Sequence, residues 1–354
     1  MKLTLQLRLL PDSAQRRLLL TTMEQFNAAA TYASQVGFEA GVFSQPSLHR
    51  RCYRDLRERF GLSAQMAVRA IGKAVEVFRR DKTRCTIFKS HGAMTYDERL
   101  MSFKGMDRVS LLTLQGRQIV PVVFGNYQSE RFDRIRGQCD LLYRNGTFYF
   151  YATIDLPPKP PVEVSDFLGV DLGIVNIAVD SDGRAYSGTQ VETVRQRHHR
   201  LRQRLQRVNT RGSRKKLKRL AGREARFRRH QNHCISKALV TTCKDTARGV
   251  ALEELRGLRE RTTVRRVNRA KHAGWAFAQL RAFVTYKAGL AGIPVAMVDA
   301  RNTSRTCSRC GHCEKGNRTS QANFRCRHCA TSLNADVNAA RNIRARAACK
   351  PAPE

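Results

Sequence analysis

Four cysteines close to the C-terminal end constrain the fold of this chain more than any other feature. They form two C-x2-C pairs separated by fifteen residues: Cys307, Cys310, Cys326 and Cys329. Each pair can clasp one metal ion from a tight turn, and the interval is long enough for a β-hairpin. The spacing predicts one structural Zn²⁺ held by four thiolates in a zinc ribbon over 303–331, with no open position for a substrate. Cys313, His312 and His328 are nearby competitors, but they break the paired spacing.

The charge of the chain points to a polyanionic partner. Its 354 residues include 65 Lys and Arg against 29 Asp and Glu, which gives a net charge of +36. Nucleic acid is favoured over a membrane because the sequence contains no long apolar run. A ribosomal-type basic protein is the alternative that charge alone leaves open. The first residues lack the apolar core of a secretory signal, so we expect a cytoplasmic protein whose clustered cysteines bind metal.

The first half of the sequence begins with a strand and continues with helices. Residues 2–9 alternate apolar and polar side chains, as in a half-buried strand. Three helices are predicted to follow, one capped by Asp12, one after Ser47 and one from Ser63. We interpret 11–83 as a small helical module whose apolar stripes form its core.

From residue 84 onward the hydrophobic period changes to two. Three strands are predicted, together with a hairpin that turns at Asn145-Gly146: 86–89, 109–114, 118–124 and 139–152. A strand, inserted helices and then at least four more strands indicate a β-barrel built from 1–10 and 84–156.

A proline-rich linker at 157–164 is the predicted domain boundary, because consecutive prolines form a stiff, extended chain. Beyond it, buried strands end in Asp171 and Glu253, and a helix from Trp275 to Ala291 precedes a third strand over 293–299. Strands that alternate with helices predict an α/β layer with a partly parallel sheet.

A strongly basic segment lies between the first two of these strands. Residues 191–230 contain 16 Lys and Arg with only two acids, at helical periodicity, and Asn209 to Ser213 are expected to divide the segment into two antiparallel arms. A helical surface with so little negative charge favours contact with nucleic-acid phosphates. We predict this role for Arg202, Arg214, Lys215, Lys216, Lys218, Arg228 and Arg229.

Three acids share a setting that suits metal-dependent chemistry. Asp171 and Glu253 end buried strands, and Asp336 lies in the first turn of a helix that follows the ribbon, 83 residues after Glu253. If the fold brings them together, their charges repel one another unless divalent cations fill the site. Two Mg²⁺ ions there would support an in-line phosphodiester displacement, so we predict these acids as catalytic metal ligands. Each acid taken singly is better explained as a cap or a surface residue.

Five stretches of the sequence together resemble the TnpB family, which insertion sequences encode and which is related to type V CRISPR effectors. They are 167–173, 252–255, Thr303-Ser304 leading into 307–311, 324–329 and 336–340. The resemblance covers about 165–345 by motif, and 1–160 more weakly by the order of its elements.

This resemblance implies a fold and a site. The fold is an N-terminal wedge-type barrel with an inserted recognition module, then a RuvC-like nuclease of RNase H fold over 165–302 and 332–354, interrupted by the ribbon. The family's catalytic carboxylates carry over onto Asp171, Glu253 and Asp336, and its zinc ligands onto the four cysteines.

The function implied is that of an RNA-guided DNA endonuclease in a bacterial cytoplasm, associated with the nucleoid when it acts. Its partners would be a guide RNA derived from the end of the element and double-stranded target DNA with a short adjacent motif, and a monomer is favoured. Two alternatives remain. One is a repressor that binds DNA under RNA guidance without cutting, although such relatives usually lose an acid, and the other is a transposase acting through the same acids.

Overall fold

The computed structural model describes residues 2–157, 159–254 and 277–349. The chain divides into two units, Met1–Pro157 and Pro158–Glu354. The predictions for Leu255, Trp275 and the tail from 350 lie outside the described residues. None of the described helices is long and apolar enough to cross a lipid bilayer.

The N-terminal unit is built on a seven-stranded antiparallel sheet, and strands from both segments predicted to form the barrel belong to it. Its strands, in chain order, are β1 (Lys2–Leu9), β2 (Met94–Tyr96), β3 (Met101–Lys104), β4 (Arg108–Thr113), β5 (Gly116–Val123), β6 (Ile135–Arg144) and β7 (Thr147–Asp155). Their order in the sheet is β2-β6-β7-β1-β5-β4-β3. The Tyr96 hydroxyl of β2 donates to the Leu112 carbonyl of β4 at 3.0 Å, so the sheet curls into a nearly closed barrel. The alternation in β1 buries Leu5, Leu7 and Leu9, as predicted.

Helices between β1 and β2 form the inserted module: α1 (Ser13–Glu39), α2 (Gln45–Phe60) and α3 (Ala64–Arg80). Asp12 caps α1, where its carboxylate accepts from the Gln15 amide at 2.8 Å, and Ser63 caps α3. A short helix α4 (Asn126–Ser129) and a 3-10 turn (Phe132–Arg134) lie between β5 and β6.

Two predictions for this unit are wrong in detail. Helix α2 does not begin after Ser47 but at Gln45, because Ser44 serves as its cap and Pro46 occupies its first turn. The segment 86–89 is not a strand. Its backbone amides pair instead with side chains of α1, Thr86 with the Ser34 hydroxyl and Phe88 with the Thr31 hydroxyl, each at 3.0 Å. This segment therefore fastens to the helical module rather than to the sheet.

The C-terminal unit contains a five-stranded sheet with both parallel and antiparallel neighbours, as predicted. Its strands are β8 (Phe167–Asp171), β9 (Asn176–Asp180), β10 (Ala185–Ser187), β11 (Gly249–Glu254) and β12 (Val295–Asp299), and their order is β10-β9-β8-β11-β12. Strands β8, β11 and β12 pair in parallel. Strand β9 is antiparallel to both of its neighbours, β8 and β10, so β8, β9 and β10 form a meander. The α/β class is confirmed.

The described helices of this unit are α5 (Thr189–Val208), α6 (Arg211–Leu220), α7 (Arg223–Asp245), α8 (Phe277–Ala291) and α9 (Ala335–Ala348), of which α7, α8 and α9 pack on the sheet. Leu239 of α7 and Val284 of α8 pack on Leu168 and Val170 of β8, while Ile343 of α9 packs on Ala251 of β11. Gly169 has to be glycine, because a methyl group there would collide with the Ala340 carbonyl of α9.

The basic segment is divided twice rather than once. Helix α5 ends at Asn209, which has a left-handed φ of 46°, and Thr210 caps α6. A second break falls at Gly222. Its φ of 79° lies in the left-handed region that glycine adopts most easily, and α7 starts after it as a separate helix. Three helices therefore replace the two predicted arms, and α5 contacts both of the others.

Candidate functional site

The sheet and α9 bring the three predicted acids to one place. Asp171 is the last residue of β8, and Glu253 lies in the neighbouring parallel strand β11. Because Leu252 pairs with Val170 in the register of these strands, the next residues along, Glu253 and Asp171, lie side by side. Asp336 is the second residue of α9.

Electrostatics show that the three carboxyl groups interact. Burial, followed by the carboxylates of Glu253 and Asp336, raises the pKa of Asp171 to about 8, whereas the Arg318 guanidinium opposes the shift. Burial also raises the pKa of Glu253, against the effect of a hydrogen bond from Thr303. The site thus concentrates negative charge where water solvates it poorly.

Each of two acids is held by a neutral donor that the sequence did not single out as functional. The Thr303 hydroxyl donates to Glu253 Oε1 at 2.7 Å, and the Asn176 side-chain amide donates to Asp336 Oδ2 at 3.0 Å. A guanidinium nitrogen of Arg318 lies 3.7 Å from Asp336 Oδ1. Thr303 precedes the ribbon cysteines in sequence, Arg318 lies between their two pairs, and Asn176 follows Asp171 by five residues. The only available signal for these three was therefore proximity to the predicted ligands.

The donor set of this site suits a divalent cation. Carboxylate oxygens are the hard ligands that Mg²⁺ prefers, and a partly buried group of three acids with one arginine nearby leaves negative charge for a cation to neutralise. The acids are more loosely grouped than the cysteines. The ligand atoms of the four cysteines all lie within 4.8 Å of one another. Among the described residues, no other group of three or more His, Cys, Asp or Glu side chains is as close.

The four ribbon cysteines come together between β12 and α9. A short hairpin, β13 (Asn323–Arg325) with β14 (Ser332–Asn334), and a 3-10 turn (Lys315–Asn317) lie in this segment. The sulfurs of Cys307 and Cys329 are 3.6 Å apart, as are those of Cys310 and Cys326. Tetrahedral Zn²⁺ with bonds of about 2.3 Å places neighbouring sulfurs about 3.8 Å apart, so the four thiols fit one zinc ion.

The backbone turns that present the sulfurs are closed by hydrogen bonds. The Gly311 amide donates to the Cys307 carbonyl, and the Cys326 amide donates to the Thr331 carbonyl, each at 2.9 Å. The competing side chains are placed elsewhere. His312 stacks on His328 with ring centroids 5.6 Å apart and contacts Glu314, and neither histidine joins the sulfur group.

The seven predicted nucleic-acid contacts fall into two groups. Arg202 and Arg228 both contact Glu224, at 3.2 and 3.8 Å, so one carboxylate partly neutralises them. The others are exposed and make no ion pair with any described acid: Arg214, Lys215, Lys216, Lys218 and Arg229. Four of these five lie on α6, which makes α6 the most positive part of the segment.

Two known sequence families match the chain, almost entirely within its C-terminal unit. The family OrfB_IS605, described as "Probable transposase", matches residues 151–256. The family described as "Cas12f1-like, TNB domain" matches residues 277–343, which include the four cysteines and Asp336.

Several curated proteins are similar to the chain. "CRISPR-associated endodeoxyribonuclease Cas12f1" of Sulfoacidibacillus thermotolerans is 32% identical over 56% of this chain and 50% of its own length. "Putative RNA-guided DNA endonuclease InsQ" of Escherichia coli K12 is 30% identical over 56% of this chain and 53% of its own. "TnpB-like protein MJ0751" of Methanocaldococcus jannaschii is 25% identical over 69% of this chain and 92% of its own. The chain thus spans about half the length of the first two relatives.

Proposed function

We propose that this chain, which belongs to the TnpB family, is an RNA-guided DNA endonuclease that hydrolyses phosphodiester bonds of target DNA. The observation that carries the proposal is the convergence of three carboxyl groups, of which Glu253 is buried and Asp171 and Asp336 are partly buried. Burial and the other two acids raise the pKa of Asp171 to about 8. Such an accumulation of charge suits a cation-dependent nuclease better than a structural role. The relatives named as endonucleases support the same activity.

The proposed domains follow the predicted boundaries. The barrel of 1–10 and 84–156, with the helical module of 11–83, would recognise the motif beside the target. Segments 165–302 and 332–354 would form a RuvC-like nuclease. The order of its five strands, in which β9 runs antiparallel to the other four, supports an RNase H type of fold.

In the proposed mechanism, Asp171, Glu253 and Asp336 would hold two Mg²⁺ ions. Bound ions of this kind supply a nucleophile at neutral pH and stabilise both oxygens of an in-line displacement. Thr303 and Asn176 each donate a hydrogen bond to one carboxylate oxygen of this set. Arg318 lies close enough to Asp336 to offset charge at the edge of the site. Because metal ligands must be deprotonated, all three acids would act as carboxylates when cations are bound.

The cysteine cluster would bind one Zn²⁺ and have a structural role. All four ligand positions are supplied by protein sulfurs, which leaves no site for water or substrate. We therefore propose a zinc ribbon over 303–331 that stabilises the start of α9 and hence the position of Asp336.

The proposed partners are a guide RNA and double-stranded DNA. In such a complex, base pairing supplies sequence specificity and the protein contacts backbones. The exposed lysines of α6 suit this role because they carry charge that no described acid neutralises. Binding through them should weaken steeply with salt, since each neutralised phosphate releases counterions.

The test is cleavage by protein purified with its native RNA. The complex should cut matched DNA in Mg²⁺, and Asp171→Ala should abolish cutting while leaving RNA and DNA binding unchanged. Asp299→Ala is the matched control, because Asp299 also ends a strand of this sheet but is exposed. Cutting that survives Asp171→Ala, or that proceeds without RNA, would refute the proposal.

The alternative is an RNA-guided repressor without nuclease activity. All three acids are present and interact, which favours the enzyme. The same experiment separates the two functions, because a repressor would bind matched DNA tightly and leave it intact in Mg²⁺. A transposase would instead join cleaved ends to a second DNA, which analysis of the products would reveal.

A further inference from the structure

Two buried asparagines of α9 face the segment that leads into the ribbon. Asn338 is fully buried and Asn342 is 8% exposed, and they lie one helical turn apart. Buried amides are costly unless they are hydrogen-bonded, so their partners indicate what the helix holds in place.

Asn338 fixes the backbone on both sides of the first ribbon cysteine. Its Oδ1 accepts from the Ser308 amide at 3.0 Å, and its Nδ2 donates to the Thr306 carbonyl at 2.8 Å. Cys307 lies between these two residues, so the first zinc-binding turn is attached directly to α9.

Asn342 continues the attachment toward the acid site. Its Nδ2 lies 2.7 Å from the Thr303 carbonyl and 2.7 Å from the Thr306 carbonyl. The Thr303 side chain then reaches Glu253, with its hydroxyl 2.7 Å from Oε1. Since a hydroxyl has one proton and the Ala300 carbonyl is farther away at 3.1 Å, the carboxylate is the better acceptor.

We propose that Thr303 is a positioning residue that orients Glu253 for metal binding. Asn338 and Asn342 link Thr303 to the ribbon, so the ordered ribbon and the acid site are coupled through these three side chains. This inference rests on the proposed function, because it assumes that Glu253 is a metal ligand.

Geometry supports a positioning role rather than simple packing. Thr303 is 3% exposed and Glu253 is 6% exposed, so water cannot easily replace the hydroxyl. A valine at 303 would retain the shape of threonine and leave Glu253 Oε1 without this donor. Serine would retain the donor and lose only a methyl group.

The experiment measures Mn²⁺ binding to the complete protein–RNA complex by calorimetry, with Mn²⁺ as the probe for the acid site. Asp171→Ala defines the background of ions bound to RNA. Thr303→Val should weaken the Asp171-dependent binding by about 10- to 100-fold, as loss of a partner of a metal ligand does. Thr303→Ser should restore affinity to within about threefold of wild type. Thr306→Val is the control, because its hydroxyl donates to the Asn302 carbonyl at 2.9 Å rather than to a carboxylate.

The outcomes separate the two proposals. If wild type has a site that depends on Asp171 and Thr303→Val binds Mn²⁺ equally well, the positioning role is wrong. If wild type has no such site, the proposed function itself fails. Zinc content and melting temperature check that each variant folds. Should Thr303→Val not fold, Asn342→Ala decides the question, because it keeps the hydroxyl but removes its tether. That variant should also lower Mn²⁺ affinity at normal zinc content, and unchanged affinity would overturn the coupling.

Discussion

The cysteine cluster and the acid site both gather metal-binding side chains, but they are assembled in opposite ways. The four cysteines lie within residues 307–329, and their paired sulfurs approach to 3.6 Å. The three acids come from two strands and a helix distributed over 171–336, and the sheet and α9 place them near one another. One site is set by local spacing, whereas the other depends on the entire C-terminal unit.

The two sites should also affect stability in opposite directions. The proposed ribbon has a small core of Cys307, Phe324 and Cys326 packed with Ala335 of α9, so we expect bound Zn²⁺ to provide most of its folding free energy. The acid site is formed by a sheet that folds for other reasons, and its buried charges oppose folding until a cation neutralises them. Replacing a cysteine of the first site is therefore expected to destabilise the protein. Replacing an acid of the second site is expected to stabilise the protein in the absence of metal.

Removing a ribbon ligand should have the largest effect. Cys326 is 2% exposed, and Cys326→Ser should abolish zinc binding and unfold 303–331, because structural zinc supplies on the order of 10 kcal/mol. Zinc analysis and limited proteolysis measure both changes. Wild type should contain about one zinc per chain and resist cleavage in the ribbon. A variant with full zinc content would contradict the four-thiolate site.

Removing an acid should stabilise the protein without Mg²⁺, at high pH. The pKa of Asp171 is raised from 3.8 to about 8 in the folded protein, so the folded state binds more protons than the unfolded state between these values. Stability of the wild type should therefore fall as pH rises through this range, whereas Asp171→Asn should not show that loss. The advantage of the variant should grow by about 4 kcal/mol between pH 5 and pH 8.

Thermal unfolding of zinc-loaded protein in Mg²⁺-free buffer without chelator tests this expectation, since a chelator would also strip the ribbon. Addition of Mg²⁺ should stabilise the wild type and leave Asp171→Asn nearly unchanged. An advantage that does not depend on pH would show that Asp171 is not held as a neutral buried acid.

Loosening one ligand should have an intermediate effect. Asn176→Ala removes the amide that donates to Asp336 at 3.0 Å, so Asp336 becomes free to turn away from the site. We expect Mn²⁺ affinity to fall by about 10-fold, with zinc content unchanged. Asn323→Ala, at an exposed asparagine of the ribbon hairpin, is the control. A loss of zinc in Asn176→Ala would mean that the two sites are not separable in this way.

The contrast between the sites also explains what the sequence could predict. Short apolar runs predict that strands end at or near Asp171 and Glu253. Asn334 is predicted to cap α9 because asparagine is preferred at the N-cap of helices. The cysteine spacing is itself a local signal. By contrast, the roles of Thr303 and Asn176 depend on contacts between residues 50 and 160 positions apart, which no local pattern encodes.

The incorrect predictions have the same cause. Residues 86–89 have the composition of a strand, yet their amides are taken by hydroxyl groups of α1, which a sequence window does not reveal. The second break in the basic segment depends on one glycine, Gly222, and an isolated glycine in a helical pattern is an ambiguous signal. Tertiary partners and backbone conformation decide both cases.

The smallest effect is expected for the cysteine that the spacing excludes. Cys313 is exposed and does not belong to the four-sulfur group. Cys313→Ser should leave zinc content at about one ion and change the free energy of unfolding by less than about 0.5 kcal/mol, as an exposed substitution away from a binding site does. Its backbone bridge to Thr306 is retained in the variant. Zinc analysis beside Cys326→Ser makes the comparison direct, because both variants change one sulfur to oxygen in the same ribbon. If Cys313→Ser also lost zinc, Cys313 would have to exchange with one of the four ligands, and the ribbon would no longer be the site fixed by spacing alone.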